Sequence, residues 1–175
     1  MLKTIAIVIA LAITGVLIYA ATKPDRFAVI RTTTIKAPPD KIFALINDLQ
    51  QWRAWSPYET KDPAMKRSFG AVTAGKGASY AWEGNKEVGQ GNVEISGTSP
   101  PALVTLQLHF IKPFEGHNQV DFRIEPQGEI TRVSWEMRGP ARYLAKLMGL
   151  FFDIDKMIGT DFESGLAKLK GIAEK

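Results

Sequence analysis

Val104-Thr105-Leu106-Gln107-Leu108-His109-Phe110-Ile111 is the stretch whose reading decides the fold. Valine, leucine and phenylalanine fill every second position, with threonine, glutamine, histidine and isoleucine between them, which is the alternation of a strand with one buried face. Two later stretches repeat the device. Val120, Phe122 and Ile124 alternate with Gln119, Asp121, Arg123 and Glu125, and Val133, Trp135 and Met137 alternate with Arg132, Ser134 and Glu136. Glycine and proline break the chain between such stretches at hairpin spacing, so an antiparallel, meandering sheet with one apolar face is expected between Met65 and Met137.

Earlier residues extend the sheet. Tyr80 and Trp82 alternate with Ala81 and Glu83, and Val93 and Ile95 with Asn92, Glu94 and Ser96. Phe27 to Ile35 is rich in β-branched residues and reads as a first strand, giving about seven in all. At Ala37-Pro38-Pro39-Asp40 a helix should begin, because proline suits a first helical turn and an acid suits its positive end. Ile42, Phe43, Leu45, Ile46 and Leu49 supply its apolar face. Gln50 to Tyr58 reads as a short helical turn closed by Pro57.

After Gly139-Pro140 the period becomes helical. Leu144, Leu147, Phe151, Ile154, Ile158, Phe162, Leu166 and Leu169 step by three or four, which predicts one long amphipathic helix, bent near Gly149 or Gly159.

The N-terminus is of another kind. Ile5 to Ala21 carries no charge over 17 residues, at the lower edge of the ~17–25 that cross a bilayer. Lys3 precedes it, Lys23, Asp25 and Arg26 follow, and Tyr19 stands where an interfacial aromatic would. A cleaved signal peptide shares this plan but needs small residues before the cut, and Ile18 or Tyr19 would occupy the third position back from Ala20 or Ala21. Residues 1–23 are therefore expected to anchor the chain as a single-pass membrane protein, with residues 24–175 as one domain. The basic residues on the two sides nearly balance. By analogy with signal anchors that lack a long N-terminal tail, the domain is expected outside the cytoplasm.

Bulk composition excludes several classes. The net charge of +4, from 22 basic and 18 acidic residues, is scattered rather than clustered, unlike a phosphate-tracking face, so no nucleic-acid partner is expected. There is no cysteine, hence no disulfide, thiolate nucleophile or thiolate metal site. His109 and His117, the only histidines, fall on a polar strand face and in a hairpin, and no metal or other cofactor is expected. Asp153 and Asp155 are two apart on a helix and point apart, which suits capping or solvation better than a paired site. The pairs Gly75/Gly77 and Gly89/Gly91 complete no phosphate-binding motif and read as turns.

Ile35-Lys36-Ala37-Pro38-Pro39-Asp40-Lys41-Ile42-Phe43, then Asn47-Asp48-Leu49 and Trp52-Arg53-Ala54-Trp55-Ser56-Pro57-Tyr58, resembles the polyketide cyclase/dehydrase-like branch of the START-related (SRPBCC) superfamily. Thr131 to Trp135 resembles that family's late strand, and Gly159 to Lys170 its closing helix. The resemblance implies an α+β helix-grip fold, a curved antiparallel sheet wrapped around the last helix, over roughly Phe27 to Lys175. It implies no function, because the superfamily holds carriers, sensors and some enzymes.

A sheet curled about one helix encloses more apolar surface than that helix covers, leaving a cavity or a core of large side chains. The expected cavity set is Tyr80, Trp82, Leu106, Leu108, Phe110, Phe122 and Trp135, with Val93, Val133 and Met137 beside them, facing Phe151, Ile154 and Ile158. Three functions compete. A membrane-held binder of a lipid or other apolar small molecule requires an apolar cavity. A cyclase- or dehydratase-like enzyme requires an acid or base inside it, for which Tyr80 is the one inward candidate and a poor one, with an ordinary phenol pKa of ~10. A ligand-free interaction domain requires Trp52, Trp55 and Tyr58 on the surface.

Overall fold

The computed structural model describes residues 1–175. Helix α1 (Leu2–Ala21) projects from the domain, exposed along its length except at Ala20, and touches the domain only through its last turns. The domain opens with β1 (Arg26–Ile35), passes through the helices α2 (Pro39–Asn47), α3 (Trp52–Trp55) and α4 (Pro57–Lys61), and enters the sheet. Strands β2 (Lys66–Phe69), β3 (Ser79–Glu83), β4 (Gln90–Ser99), β5 (Leu103–Lys112), β6 (Gly116–Gln127) and β7 (Ile130–Pro140) follow, then α5 (Tyr143–Met148) and α6 (Ile154–Ala173).

All seven strands pair antiparallel in the order β1-β7-β6-β5-β4-β3-β2. The first and last strands of the chain therefore meet at one side, with β1 joined to β7 from Arg26 opposite Pro140 to Ile35 opposite Thr131. The architecture is the α+β helix grip that the strand alternation and terminal helix imply.

Register sets the interior. Trp135 stands opposite Phe122, which stands opposite Val104, and Ile95 opposite Leu106, which stands opposite Val120. Ile42 and Ile46 of α2 and Phe162, Leu166 and Leu169 of α6 close over this face, and all are buried. Fully burying a side chain of this size contributes about 1.5–3 kcal/mol. The interior is thus the main source of the fold's stability.

Pro57 does not merely end a helical turn. It occupies the first turn of α4, where its missing N–H is no loss. Gly75, Gly77 and Gly89 have positive φ, as their turn reading requires, whereas Gly91 lies within β4.

The single long C-terminal helix is corrected by the structure. Helical hydrogen bonding in α5 ends in the turns at Leu150, Phe151 and Phe152, and α6 restarts when the Asp153 carboxylate accepts from the Lys156 amide at 2.9 Å. A new N-cap of this type satisfies one of the amides left open at a helix start. Asp155, in the first turn of α6, instead pairs with Arg31 of β1 at 2.8 Å, and Arg31 also reaches Glu163 at 2.7 Å. Gly159 does not bend α6. It leaves room for the Arg31 guanidinium, into which any Cβ at that position would run.

Candidate functional site

Between the sheet and α6 lies a cavity with about 70 Å³ of free space, enough for several water-sized atoms. Fourteen residues line it, and thirteen are hydrophobic, the exception being Ser56. Tyr80 and Trp82 come from β3, Val93 from β4, Leu108 and Phe110 from β5, Val120 from β6, and Trp135 and Met137 from β7. Phe162 of α6, Trp52 and Tyr58 of the short helices, Met65 and Val88 complete the wall.

Of the residues expected from sequence, Tyr80, Trp82, Leu108, Phe110 and Trp135 stand on this wall. Leu106 and Phe122 are fully buried in the adjoining core. Ile154 and Ile158 are half-buried at the start of α6, and Ile158 packs on the core edge. Phe151 is a correction. It is 71% exposed, because it precedes the restart of the helix and follows the α5 direction outward. Phe162, eleven residues further along the same apolar stripe, takes the place assigned to it. The stripe was visible in the sequence, but which of its turns meets the cavity depends on the break at Asp153.

Trp52, Trp55 and Tyr58 do not meet the condition of the ligand-free interaction domain. Trp55 is fully buried, and Trp52 and Tyr58 are half-buried against the core, so they form no exposed docking patch. Trp55 meets Phe122 and Trp135 edge to face at 5.9 and 5.7 Å. Such pairs add about 0.5–1.5 kcal/mol beyond area burial.

Polar groups at the wall are few. The Tyr80 hydroxyl lies 3.4 Å from Oε1 of Glu59, whose carboxylate is already clasped by Arg67. Burial first, and the Glu59 charge second, push the Tyr80 phenol above its ordinary value. The Tyr58 phenol is raised by burial and then by Asp161. Both phenols are neutral at physiological pH and can donate a hydrogen bond but cannot act as bases.

The four indoles differ. Trp52, Trp55 and Trp82 donate Nε1–H to the carbonyls of Ile46, Leu45 and Val88 at 2.8, 3.1 and 3.0 Å. Nε1 of Trp135 is buried and has no partner. Its ring stacks on Phe162 at 4.1 Å, and the Cζ3 edge abuts Gly165, where a Cβ would come within 2.7 Å. The nitrogen sits on the other side of the ring from that edge. An unpaired buried donor of this kind costs about 1–3 kcal/mol until something accepts from it.

A separate cluster lies on the opposite face of the sheet. His109 pairs across β5 and β6 with His117, their rings stacked at 4.0 Å, and the Glu115 carboxylate lies 3.9 and 3.5 Å from their Nε2 atoms. The sequence reading kept these histidines apart. Strand register brings them together, with one ligand atom each of His109, Glu115 and His117 within 4.8 Å of one another. Parallel rings direct their nitrogens side by side, so convergence on a metal at ~2.0–2.1 Å requires a ring to rotate.

Residues 26–174 match the family model described as polyketide cyclase/dehydrase and lipid transport. The chain belongs to this family. Solved structures agree on the fold. The chain is similar to the Chromobacterium violaceum protein CV1439 at 12% identity and a TM-score of 0.61, covering 87% of this chain and 99% of that one. It is likewise similar to the Colwellia psychrerythraea Aha1 dimer protein (16%, TM-score 0.61, 85% and 96% covered) and to a Staphylococcus epidermidis protein (18%, TM-score 0.59, 87% and 91% covered). No curated protein matches the sequence.

Proposed function

We propose that this polyketide cyclase/dehydrase-family chain is a membrane-anchored binder of an apolar small molecule or lipid, held by α1 with residues 24–175 as the binding domain. The carrying observation is the cavity wall, thirteen of whose fourteen residues are hydrophobic. Such a lining favours ligands by burial and leaves orientation to a few polar fixtures. Trp135 lines this wall, and its buried, unpaired Nε1–H would favour a ligand bearing one acceptor oxygen, such as a carbonyl, ester or carboxyl group, once entry of the ligand shifts the side chains that cover it.

The free volume is small, so a lipid-sized ligand enters by displacing wall side chains. Met65 and Met137, both on the wall, are the adaptable kind of side chain that allows it. The enzyme reading has less support. Its one named candidate, Tyr80, is held neutral, and Glu59 beside it is committed to Arg67.

The anchor reading rests on an exposed α1 of 20 residues with a mean hydropathy of 2.5 over its best window, a feature that a signal sequence shares. At ~1.5 Å per residue the helix is about 30 Å long, the thickness of a bilayer's hydrocarbon core. By analogy with signal anchors that lack a long N-terminal tail, this reading puts the domain outside the cytoplasm. Reporter fusions at Lys175, active only on one side of the membrane, test that placement.

Binding is tested by native mass spectrometry of the full chain from mild detergent, with solvent extraction of what copurifies. Retention of a defined small apolar molecule is expected. Failure to retain or take up any member of a panel of fatty acids, isoprenoids and quinones contradicts the reading.

A further inference from the structure

We infer that the α5–α6 junction is a second membrane-contact surface that lays the domain onto the lipid headgroups beside α1. The inference rests on the reading of α1 as a membrane span and goes beyond it, since a span alone leaves the domain free to swing on residues 22–25.

Three observations carry it. First, α1 is not a free tether. Its last turns pack on α5, where the Tyr143 hydroxyl donates to the Leu17 carbonyl at 2.9 Å and Lys146 bonds Asp25 at 2.5 Å. Leu17 lies four residues before the end of α1, so this contact sits about 6 Å inside the helix end at ~1.5 Å per residue. An α1 that spans the bilayer therefore brings α5 to the boundary between headgroups and acyl chains, the depth at which interfacial helices lie.

Second, the three most exposed large apolar side chains of the domain lie there, although Phe114 of the β5–β6 hairpin is 57% exposed as well. Leu144 is 52% exposed, Phe151 71%, Phe152 59% and Met157 61%. Leu144 and Phe151 are seven residues apart along a segment that keeps helical turns through Phe152, so they share one side. Phenylalanines this exposed have no role in the core, and an apolar patch on a folded domain marks a surface that meets lipid or protein. Its continuity with α1, itself apolar and uncovered, decides for lipid.

Third, the rim is basic. Lys23 and Arg26 flank the end of α1 and Arg142 opens α5, while Lys146 pairs with Asp25 and Asp153 is the one acid beside Phe152, so the rim carries more base than acid. Amphipathic surface helices combine aromatic and aliphatic residues on one side with Lys and Arg at the other to meet anionic headgroups.

The chain has no cysteine, so single labels are unique. The full chain carrying F152C, L11C or E129C, each with an environment-sensitive fluorophore, is reconstituted into phosphatidylcholine–phosphatidylglycerol vesicles containing lipids spin-labelled near the headgroup or deep in the acyl chain. Glu129 lies in the turn before β7, eleven residues of strand away from Pro140, about 35 Å at ~3.3 Å per residue. Expected are a blue shift and quenching by the shallow spin label at position 152, quenching by the deep label at position 11, and neither at position 129. A label at 152 with the emission of a water-exposed dye, while the label at 11 is quenched, overturns the second contact and leaves the anchor standing. Labels at 11 and 152 that both stay in water overturn both. All three substitutions are at exposed positions, and circular dichroism checks that the variants fold.

Discussion

The interior has two halves built from one pattern. Toward the β6–β7 turn, Val104, Leu106, Phe122, Ile124 and Val133 are covered by α2 and the later turns of α6, and the space is solid. Toward the β5–β6 hairpin, Leu108, Phe110, Val120 and Met137 continue the same alternation, yet they border a cavity. Strand alternation decides which side chains face inward; the helices laid over them decide whether that interior is full.

The sharpest way to break this comparison is truncation in the solid half. Phe122→Ala removes a ring with no exposed surface that touches Trp52, Trp55 and Trp135, and a loss of about 3–5 kcal/mol is expected in urea unfolding of the full chain. Phe110→Ala, made beside space that already exists, should lose roughly 1–2 kcal/mol. Equal losses at the two positions would mean the halves are equally packed.

Filling the hollow half comes next. Leu108→Trp is expected to lower affinity for a fatty-acid or isoprenoid probe by about tenfold or more, while overpacking costs roughly 1–3 kcal/mol of stability. Binding left unchanged, measured by isothermal titration, would place the ligand elsewhere.

Trp135→Phe sharpens the comparison at the border of the two halves. An aromatic ring is kept against Phe162, the outer edge beside Gly165 is given up and the unpaired donor is lost. Stability should change little, the packing lost with the smaller ring offsetting the relief of the unpaired donor, whereas affinity for a ligand with a carbonyl should fall by about 1–1.5 kcal/mol, near tenfold, and affinity for the matching hydrocarbon should change less.

These halves were unequally legible in the sequence. Period-two alternation named the inward face of β3 to β7, and Ala37-Pro38-Pro39-Asp40 named the start of α2, because both signals are local. Phe151 was misplaced because the helix break depends on Asp153 capping its own amide neighbour against a continuing apolar stripe. Trp52 and Tyr58 on the cavity wall, and the meeting of His109 with His117, follow from packing and register across the sheet, which no local window contains. Trp135 was legible as inward, but its lack of a hydrogen-bond partner was not.

The smallest expected effect concerns the seam that closes β1 onto α6. Hydrogen bonding to Arg31 holds the Asp155 carboxyl below its ordinary range. A lowered folded-state pKa gives stabilisation that is present above the unfolded value of ~3.9 and lost as pH falls through the folded one. Arg31→Met should therefore remove a stabilisation present at pH 7, small because Asp155 is exposed and its pairing screened, and the two stability curves should converge below about pH 4. Thermal unfolding across pH measures it.

Photo-crosslinking addresses the binding claim most directly. The full chain, in native membranes, is irradiated with a diazirine-bearing fatty acid, and adducts are mapped by mass spectrometry. Adducts on Trp82, Phe110 or Met137 that an excess of unlabelled fatty acid removes are the predicted result. Adducts confined to α1 and the α5–α6 junction, with none on the cavity wall, would contradict it.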